Sequence, residues 1–272
     1  MRIKNNINKL IANSIYNNIK INHKKLYETY QFKTKNQKYK LKFILSACVY
    51  FINISCSYKN FVYFNLNSNT FYKNFMKLNK HKIFESTYNK LLNKYLSKSK
   101  NKIRQIYTDT STFYNKYNID KVERNKYFKN KKVMKLSLIT EQNGIPLNVD
   151  LYKGNHNDAH ILKDQLTKLN TTNFDKKNTI FMADAGYDSN KLREKLNELF
   201  YKSIIPFNKR NTKDKNKIKI LTDEEKKLYK SRINIENTFL KIKKNRRLEI
   251  VYEKKSENFL SLLYLSLIKL VI

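Results

Sequence analysis

Three acids far apart in the chain, Asp109, Asp184 and Glu236, are the residues around which divalent-cation chemistry could be built. A hard cation such as Mg2+ takes carboxylate oxygens and keeps room for water and phosphate. Two such ions side by side activate a water or a 3′-hydroxyl and stabilise the leaving oxygen of a phosphodiester. Asp109 closes the β-type run Ile103–Asp109, and Asp184 closes the apolar run Thr179–Asp184. In an open sheet the carboxyl ends of parallel strands line the site crevice. If these two strands are adjacent and parallel, the two aspartates come within cation-sharing distance.

Glu236 belongs to the stretch Tyr229–Lys243, Y-K-S-R-I-N-I-E-N-T-F-L-K-I-K. Thr222 followed by Glu225 spells a capping box, and no Gly or Pro interrupts Thr222–Lys244, so one helix is predicted. On a wheel of about 100° per residue, Tyr229, Arg232, Glu236 and Lys243 share one stripe about 60° wide. Leu228, Ile235, Phe239 and Ile242 flank it on one side, and Ile233 and Leu240 on the other. Ser231, Asn234, Asn237, Thr238 and the lysines form the opposite, wet face. Glu236 then sits within the packing face, where a carboxylate is costly unless something positive meets it. Two readings stand: an Arg232–Glu236 pair at i, i+4, worth a few tenths of a kcal/mol when exposed, or a cation shared with the two aspartates.

The elements that must position these acids follow from the pattern between them. After Lys102 the chain reads as strand, hairpin, strand, helix, strand, helix, strand, helix. Val133–Thr140 is the second strand, and Asn143–Gly144 a hairpin turn. Ile145, Leu147, Val149 and Leu151 then alternate with polar or edge positions. His156–Leu169 is a helix with Ile161, Leu162, Gln165, Leu166 and Leu169 on one side. Gly186 turns the chain after Asp184, and Asp188 or Ser189 caps a helix burying Leu192, Leu196, Leu199 and Phe200. Ser203–Phe207 is a short fifth strand. Before this half, residues 1–40 are basic and weakly patterned, read as loose helix or disorder. Residues 41–98 hold three helix candidates, Lys42–Cys56, Asn69–Leu78 and Ile83–Leu96, which fit a helix-turn-helix-like DNA reader or any small bundle. Residues 99–272 form the α/β domain.

Lys+Arg 57 against Asp+Glu 22 gives a net charge of +35, a field that favours polyanions, nucleic acid first among them. Abundant Lys, Asn, Ile, Tyr and Phe without Trp also mark an AT-rich gene, which explains Lys over Arg better than the shortage of acids. Cys48 and Cys56 form neither a zinc cluster nor a disulfide framework, so a reducing compartment is expected. No secretory signal opens the chain, and Phe259–Ile272 is too short for a membrane span and reads as a packing helix. An intracellular, DNA-associated protein without a membrane partner is the expectation.

The spelling Tyr229-x2-Arg232-x3-Glu236-x6-Lys243 resembles the Y-R-E-K signature of bacterial insertion-sequence DDE transposases. D-T-S-T at Asp109–Thr112 is similar to their first-aspartate motif, and A-D-A-G-Y-D at Ala183–Asp188 to the second. Gly154-Asn155-His156-x-Asp158 resembles the segment ending their third strand. The resemblance implies an RNase H-like catalytic core, a mixed five-stranded sheet with flanking helices, preceded by a small all-α domain. The short connection between the fifth strand and the signature helix fits the branch without a large insertion domain. It also implies that Asp109, Asp184 and Glu236 hold two Mg2+ or Mn2+ ions. The implied reaction is cleavage at transposon ends and transfer of the freed 3′-hydroxyl into target DNA. Arg232 and Lys243 would contact the DNA backbone and Tyr229 the DNA near the cut. The partners would be terminal inverted repeats, target DNA and further copies of the chain, a homodimer or higher.

Other residues read more plainly. His156 and His160 stand at i, i+4 without a third zinc ligand at a fixed offset. Asp158 reads as a cap or supporting acid, and Asp188 and Glu194 as helix-start and solvent residues. The loop N-K-R-N-T-K-D-K-N-K, with Lys209 and Arg210, is a solvated loop that in this setting could touch DNA. Besides the strand-transfer enzyme, two further classes fit: another RNase H-like two-metal nuclease, and a DNA-binding protein that has lost catalysis.

Overall fold

The computed structural model describes residues 2–31, 39–99, 103–115, 117, 120–169, 175–208 and 220–272. The chain forms two compact units. Unit 2, Leu96–Lys116 with Lys121–Lys241, carries all three acids. Unit 1 joins Met1–Tyr95, Tyr117–Asp120 and Ile242–Ile272, so the last thirty-one residues fold with the N-terminal helices.

Unit 2 is built on one mixed sheet. β1 (Gln105–Tyr114) runs antiparallel to β3 (Lys131–Glu141), which runs antiparallel to β4 (Pro146–Lys153). β5 (Ile180–Met182) and β6 (Lys202–Ile204) extend the other side in parallel. The order β4-β3-β1-β5-β6 is the RNase H-like arrangement, and the short β2 (Glu123–Asn125) pairs with the start of β3. The Asn143–Gly144 turn joins β3 to β4, with Gly144 at φ 80°. Glu141, fully buried, holds the turn by accepting from the backbone N–H of Asn143 and Ile145, both at 3.0 Å.

α6 (Asp158–Leu169) buries the five residues expected of it. Gln165 ties it to the sheet, accepting from Ser137 Oγ at 2.6 Å and donating to Asn148 Oδ1 at 2.7 Å. α7 (Asn190–Glu198) buries Leu192 and Leu196, whereas Phe200, past its end at φ 64°, points into solvent. Asp188 does not cap α7: its carboxylate takes Arg193 and the Asn208 N–H instead.

The predicted helix Thr222–Lys244 is interrupted. α8 (Asp223–Tyr229) starts with the full capping box, a 3-10 turn covers Lys230–Arg232, and α9 runs Ile233–Lys243. Ser231 lies at the interruption, its hydroxyl 2.6 Å from the Leu228 carbonyl and accepting from the Tyr107 hydroxyl at 3.1 Å. A Ser that bonds the preceding turn and the sheet tightens the helix locally.

In unit 1, two helices precede Lys40, α1 (Arg2–Asn22) and α2 (Lys24–Gln31), with Ile11, Ile15 and Ile19 buried. A period of four in isoleucine packs this face despite the polar composition. α3 (Leu41–Phe51), α4 (Ser68–Lys80) and α5 (Ile83–Ser99) are the three expected helices. Residues 52–67 separate α3 from α4, while only His81 and Lys82 separate α4 from α5. α10 (Arg246–Glu249) and α11 (Ser256–Val271) complete the unit. α11 is buried on most sides, and its polar residues are paired: Asn258 accepts from Asn79 at 2.6 Å, and Ser261 donates to Asn79.

Candidate active site

Asp109 does not end its strand. It lies mid-way along β1, paired in register with Leu138 of β3. The parallel pairing with β5, however, stops at Tyr107↔Met182. Asp109 and Asp184 each lie two residues past that last pair, and the charge of Asp184 reaches Asp109. β1 runs on because β3 still supplies hydrogen bonds there, whereas β5 has already turned away. Asp184 makes that turn: its Oδ1 accepts the Gly186 N–H at 2.7 Å, capping the 3-10 turn Ala185–Tyr187.

Alternation along β1 divides the labour. Tyr107 and Asp109 face the signature helix, as the Tyr107 contact with Ser231 shows. Thr110 faces α6, where its hydroxyl donates to Asp158 Oδ1 at 3.1 Å. Lys135 of β3 donates to the same oxygen at 2.8 Å. Asp158 is thus a supporting acid, holding Lys135 and the strand residue next to Asp109. The signal for Thr110 lay in the D-T-S-T spelling. Lys135 carried no signal, because nothing local relates a strand lysine to a helix start over twenty residues away.

Arg232 connects the acids. Its Nη1 donates to Asp109 Oδ2 at 3.0 Å and its Nη2 to Glu236 Oε1 at 3.0 Å. The i, i+4 pair of Glu236 therefore forms, on a guanidinium that also takes Asp109. Burial pushes the Asp109 carboxyl above its ordinary pKa, and the Arg232 guanidinium only partly offsets this; Asp184 adds to the rise. Burial also pulls the Arg232 pKa down, but Asp109, Tyr229 and Asp184 more than reverse it. Tyr229 is half-buried, its ring 5.9 Å from the Arg232 guanidinium carbon, within cation–π reach, and burial raises its phenol. Tyr187 is fully buried near the acids; burial first, then the charges of Asp109, Asp158 and Asp184, raise its phenol strongly.

Glu236 is less enclosed than expected, 48 % exposed against 19 % for Asp109. Ile233 and Leu240, predicted on the packing face, are 52 % and 59 % exposed. Thr238, predicted to be wet, is fully buried, and Asn234 is half-buried. Thr238 Oγ1 donates to the Gly144 carbonyl at 2.9 Å and Asn234 to the Gln142 carbonyl at 2.9 Å. The helix docks on the hairpin turn through hydrogen bonds, which rotates its packed face away from the apolar prediction and puts Glu236 at the rim.

Lys243 is half-buried, and burial lowers its pKa, with Glu249 opposing. It falls in unit 1, at the end of α9. Lys209 and Arg210 lie outside the described residues. Among the described residues, no three His, Cys, Asp or Glu side chains stand ready-made at cation-ligand spacing. That applies equally to His156 and His160. The acids present do fit a hard cation by type, an all-oxygen donor set, and a positive group already bridges Asp109 and Glu236.

Residues 106–271, more than half of the chain, match the family model described as the transposase DDE domain. The chain belongs to this family. No curated protein sequence shows a significant match. Among solved structures, the catalytic domain of Mos1 mariner transposase aligns at 14 % identity and a TM-score of 0.27, over 61 % of this chain and 94 % of that one. A pre-cleavage Mos1 transpososome aligns at 13 % identity and a TM-score of 0.30, over 85 % and 78 %. A Mos1 paired-end complex with Mn aligns at 14 % identity and a TM-score of 0.28, again over 85 % and 78 %. Membership of the DDE transposase family rests on the sequence match over residues 106–271. Among the described residues, no helix is long and apolar enough to cross a membrane.

Proposed function

We propose that this DDE transposase cleaves DNA at transposon ends and joins the freed 3′-hydroxyl to target DNA, with Asp109, Asp184 and Glu236 as its cation-holding acids. The observation that carries the reading is the meeting of Asp109 and Glu236 on one guanidinium, with Asp184 near enough for its charge to act on Asp109. Two Mg2+ or Mn2+ ions held by these acids would contribute Lewis acidity, easing deprotonation of the attacking hydroxyl and carrying charge on the leaving oxygen.

The chain's own side chains do the rest. Asp109 is oriented from behind by its neighbour Thr110, held on Asp158. Arg232 exchanges one of its carboxylates for a DNA phosphate, to which a guanidinium offers two parallel donors. Tyr229, already beside Arg232, packs against the DNA near the cut, and Lys243, Lys209 and Arg210 contact the backbone. In the first step a water oxygen bonds to phosphorus and the 3′-oxygen leaves, taking up a proton. In the second that 3′-hydroxyl bonds to a target phosphorus, loses its proton, and one target 3′-oxygen leaves. The transfer step forms one phosphodiester for each one broken, so it requires no energy source. The protein acts inside the cell on double-stranded DNA, as a homodimer or larger assembly on paired ends.

The test is nicking of a plasmid bearing the DNA that flanks the gene, with Mg2+ or Mn2+ present. Cleavage that disappears in Asp184→Ala while DNA binding persists supports the assignment. Binding without cleavage by the unaltered protein would mark a chain that has lost catalysis. Cleavage without joining to a second plasmid would mark a nuclease and remove the transfer step.

A further inference from the structure

Unit 1 carries an aromatic groove that the reaction above does not use. Asn8 and Lys9 of α1 and Tyr50 of α3 form one wall, and residues 62–64 form the other, enclosing about 510 Å3. That lies within the range of small-ligand clefts, about 300–1,000 Å3. The second wall is unusual. A bridge between Tyr63 and Leu66 closes a tight turn, with Phe64 at φ 50°. A bulky residue with positive φ is an outlier that the surroundings must enforce. Here the backbone holds the Phe64 ring out in water at 80 % exposure, with Val62 also exposed.

The rings behind it are ordered. Tyr63 lies 4.9 Å from Phe64, edge to face, and 5.3 Å and 5.4 Å from Phe43 and Tyr50. Tyr39 stacks on Phe43 and donates to the Asn65 carbonyl at 2.5 Å, tying the turn down. The result is a firm aromatic platform with one ring projecting, next to a lysine and an amide.

Charge selects the occupant. The first 84 residues contain sixteen Lys and Arg and a single acid, Glu28. Lys9 is exposed at the groove, and Lys42 lies one turn before Ser46 on α3, over the Tyr16 ring. A second copy of this chain would bring like charge to the patch. A nucleotide brings both complements at once, a flat π-face for the rings and a phosphate for the lysines. Phosphate contacts alone would need no exposed Phe and Val.

We propose that this groove binds an unstacked nucleobase of a DNA strand, with Phe64 stacking on the base and Lys9 meeting its phosphate. The inference rests on the DNA-binding reading above and adds a preference for locally unpaired DNA. Asn8 supplies both a donor and an acceptor to a base edge.

The experiment uses the full chain in EDTA, so that no strand is cut, with a short single strand, the matching duplex, and that duplex with an unpaired bulge. Phe64→Ala lowers affinity for the single strand and the bulged duplex about tenfold, the scale of losing one base–aromatic stack. Affinity for the intact duplex stays within about twofold, as for an exposed substitution away from a contact. Phe64→Trp keeps the preference, and 2-aminopurine in the bulge is quenched by the unaltered protein but not by Phe64→Ala. If Phe64→Ala matches the unaltered protein on all three DNAs, the inference is wrong while the proposed function stands. The same holds if it alters only self-association, measured by sedimentation. If the unaltered protein binds none of the three, both fall.

Discussion

Arg232 reaches Asp109 and Glu236 at the same distance, 3.0 Å, so a permanent cation stands between two of the three proposed ligands. A unit positive charge about 4 Å from a divalent cation costs about 8 kcal/mol at an effective dielectric constant of 20, less after screening. Arg232→Gln is therefore expected to tighten Mn2+ binding by the DNA-free protein at least about tenfold, read by calorimetry, while weakening DNA cleavage. Unchanged Mn2+ affinity would mean that the guanidinium does not compete for the site. Asp109 supplies a pH dependence. Burial raises its pKa in the folded state above the ordinary carboxylate value. The folded chain therefore holds that proton more tightly than the unfolded chain. The associated stability is complete below the ordinary carboxylate pKa and is lost as pH rises through the raised value. Asp109→Asn should accordingly melt higher than the unaltered protein at neutral pH, in EDTA, with the gap closing as pH falls towards the ordinary carboxylate range. Added Mg2+ should raise the melting temperature of the unaltered protein and not of Asp109→Asn.

At the scale of elements, the position of Glu236 depends on the turn of the β3–β4 hairpin. Gly144 combines φ 80° with a site where a Cβ would stand 2.5 Å from Thr238 Oγ1. Gly144→Ala should cost about 2–4 kcal/mol, part from the left-handed backbone and part from overpacking. Denaturant unfolding measures the loss, and Gly144→Ala with Thr238→Ala should recover the overpacking share. Cleavage should fall more than stability alone explains, because α9 must move off the turn and carry Glu236 with it. The turn itself was legible from Asn143–Gly144. Its role as the dock for α9 was not, because Thr238 and Asn234 look wet on a wheel and become buried only when the Gly144 and Gln142 carbonyls accept from them. The 3-10 turn at Lys230–Arg232 was equally hidden, since Ser231 reads as an ordinary helix residue until its hydroxyl finds the Tyr107 hydroxyl and the Leu228 carbonyl.

At the scale of the molecule, unit 1 has its own buried linchpin. Arg247 and Glu253 have no exposed side-chain surface and meet at 2.6 Å. The guanidinium also donates to the Cys56 carbonyl at 2.5 Å and lies over the rings of Phe51, Tyr58 and Tyr252. Arg247→Met leaves Glu253 buried without its partner and should destabilise by about 3–5 kcal/mol in denaturant unfolding. Pairing it with Glu253→Met should return much of that loss. The charge of +35 makes a second whole-molecule prediction. If about six phosphates are neutralised, DNA affinity should fall about a thousandfold between 50 and 200 mM salt. A flat salt response would remove the electrostatic basis for DNA binding.

Periodicity and turn spelling were enough for the strand order, and the resemblance of short motifs for the family, because each rests on local patterns that the chain carries wherever it folds. Only packing in three dimensions could put Asp109 in the middle of its strand. Strand length depends on which neighbour still offers hydrogen bonds, and β3 outlasts β5. The same holds for Arg232 bridging Asp109 and Glu236 across more than a hundred residues of chain, and for Phe64 facing water. Those outcomes are set by partners that no window of adjacent residues contains.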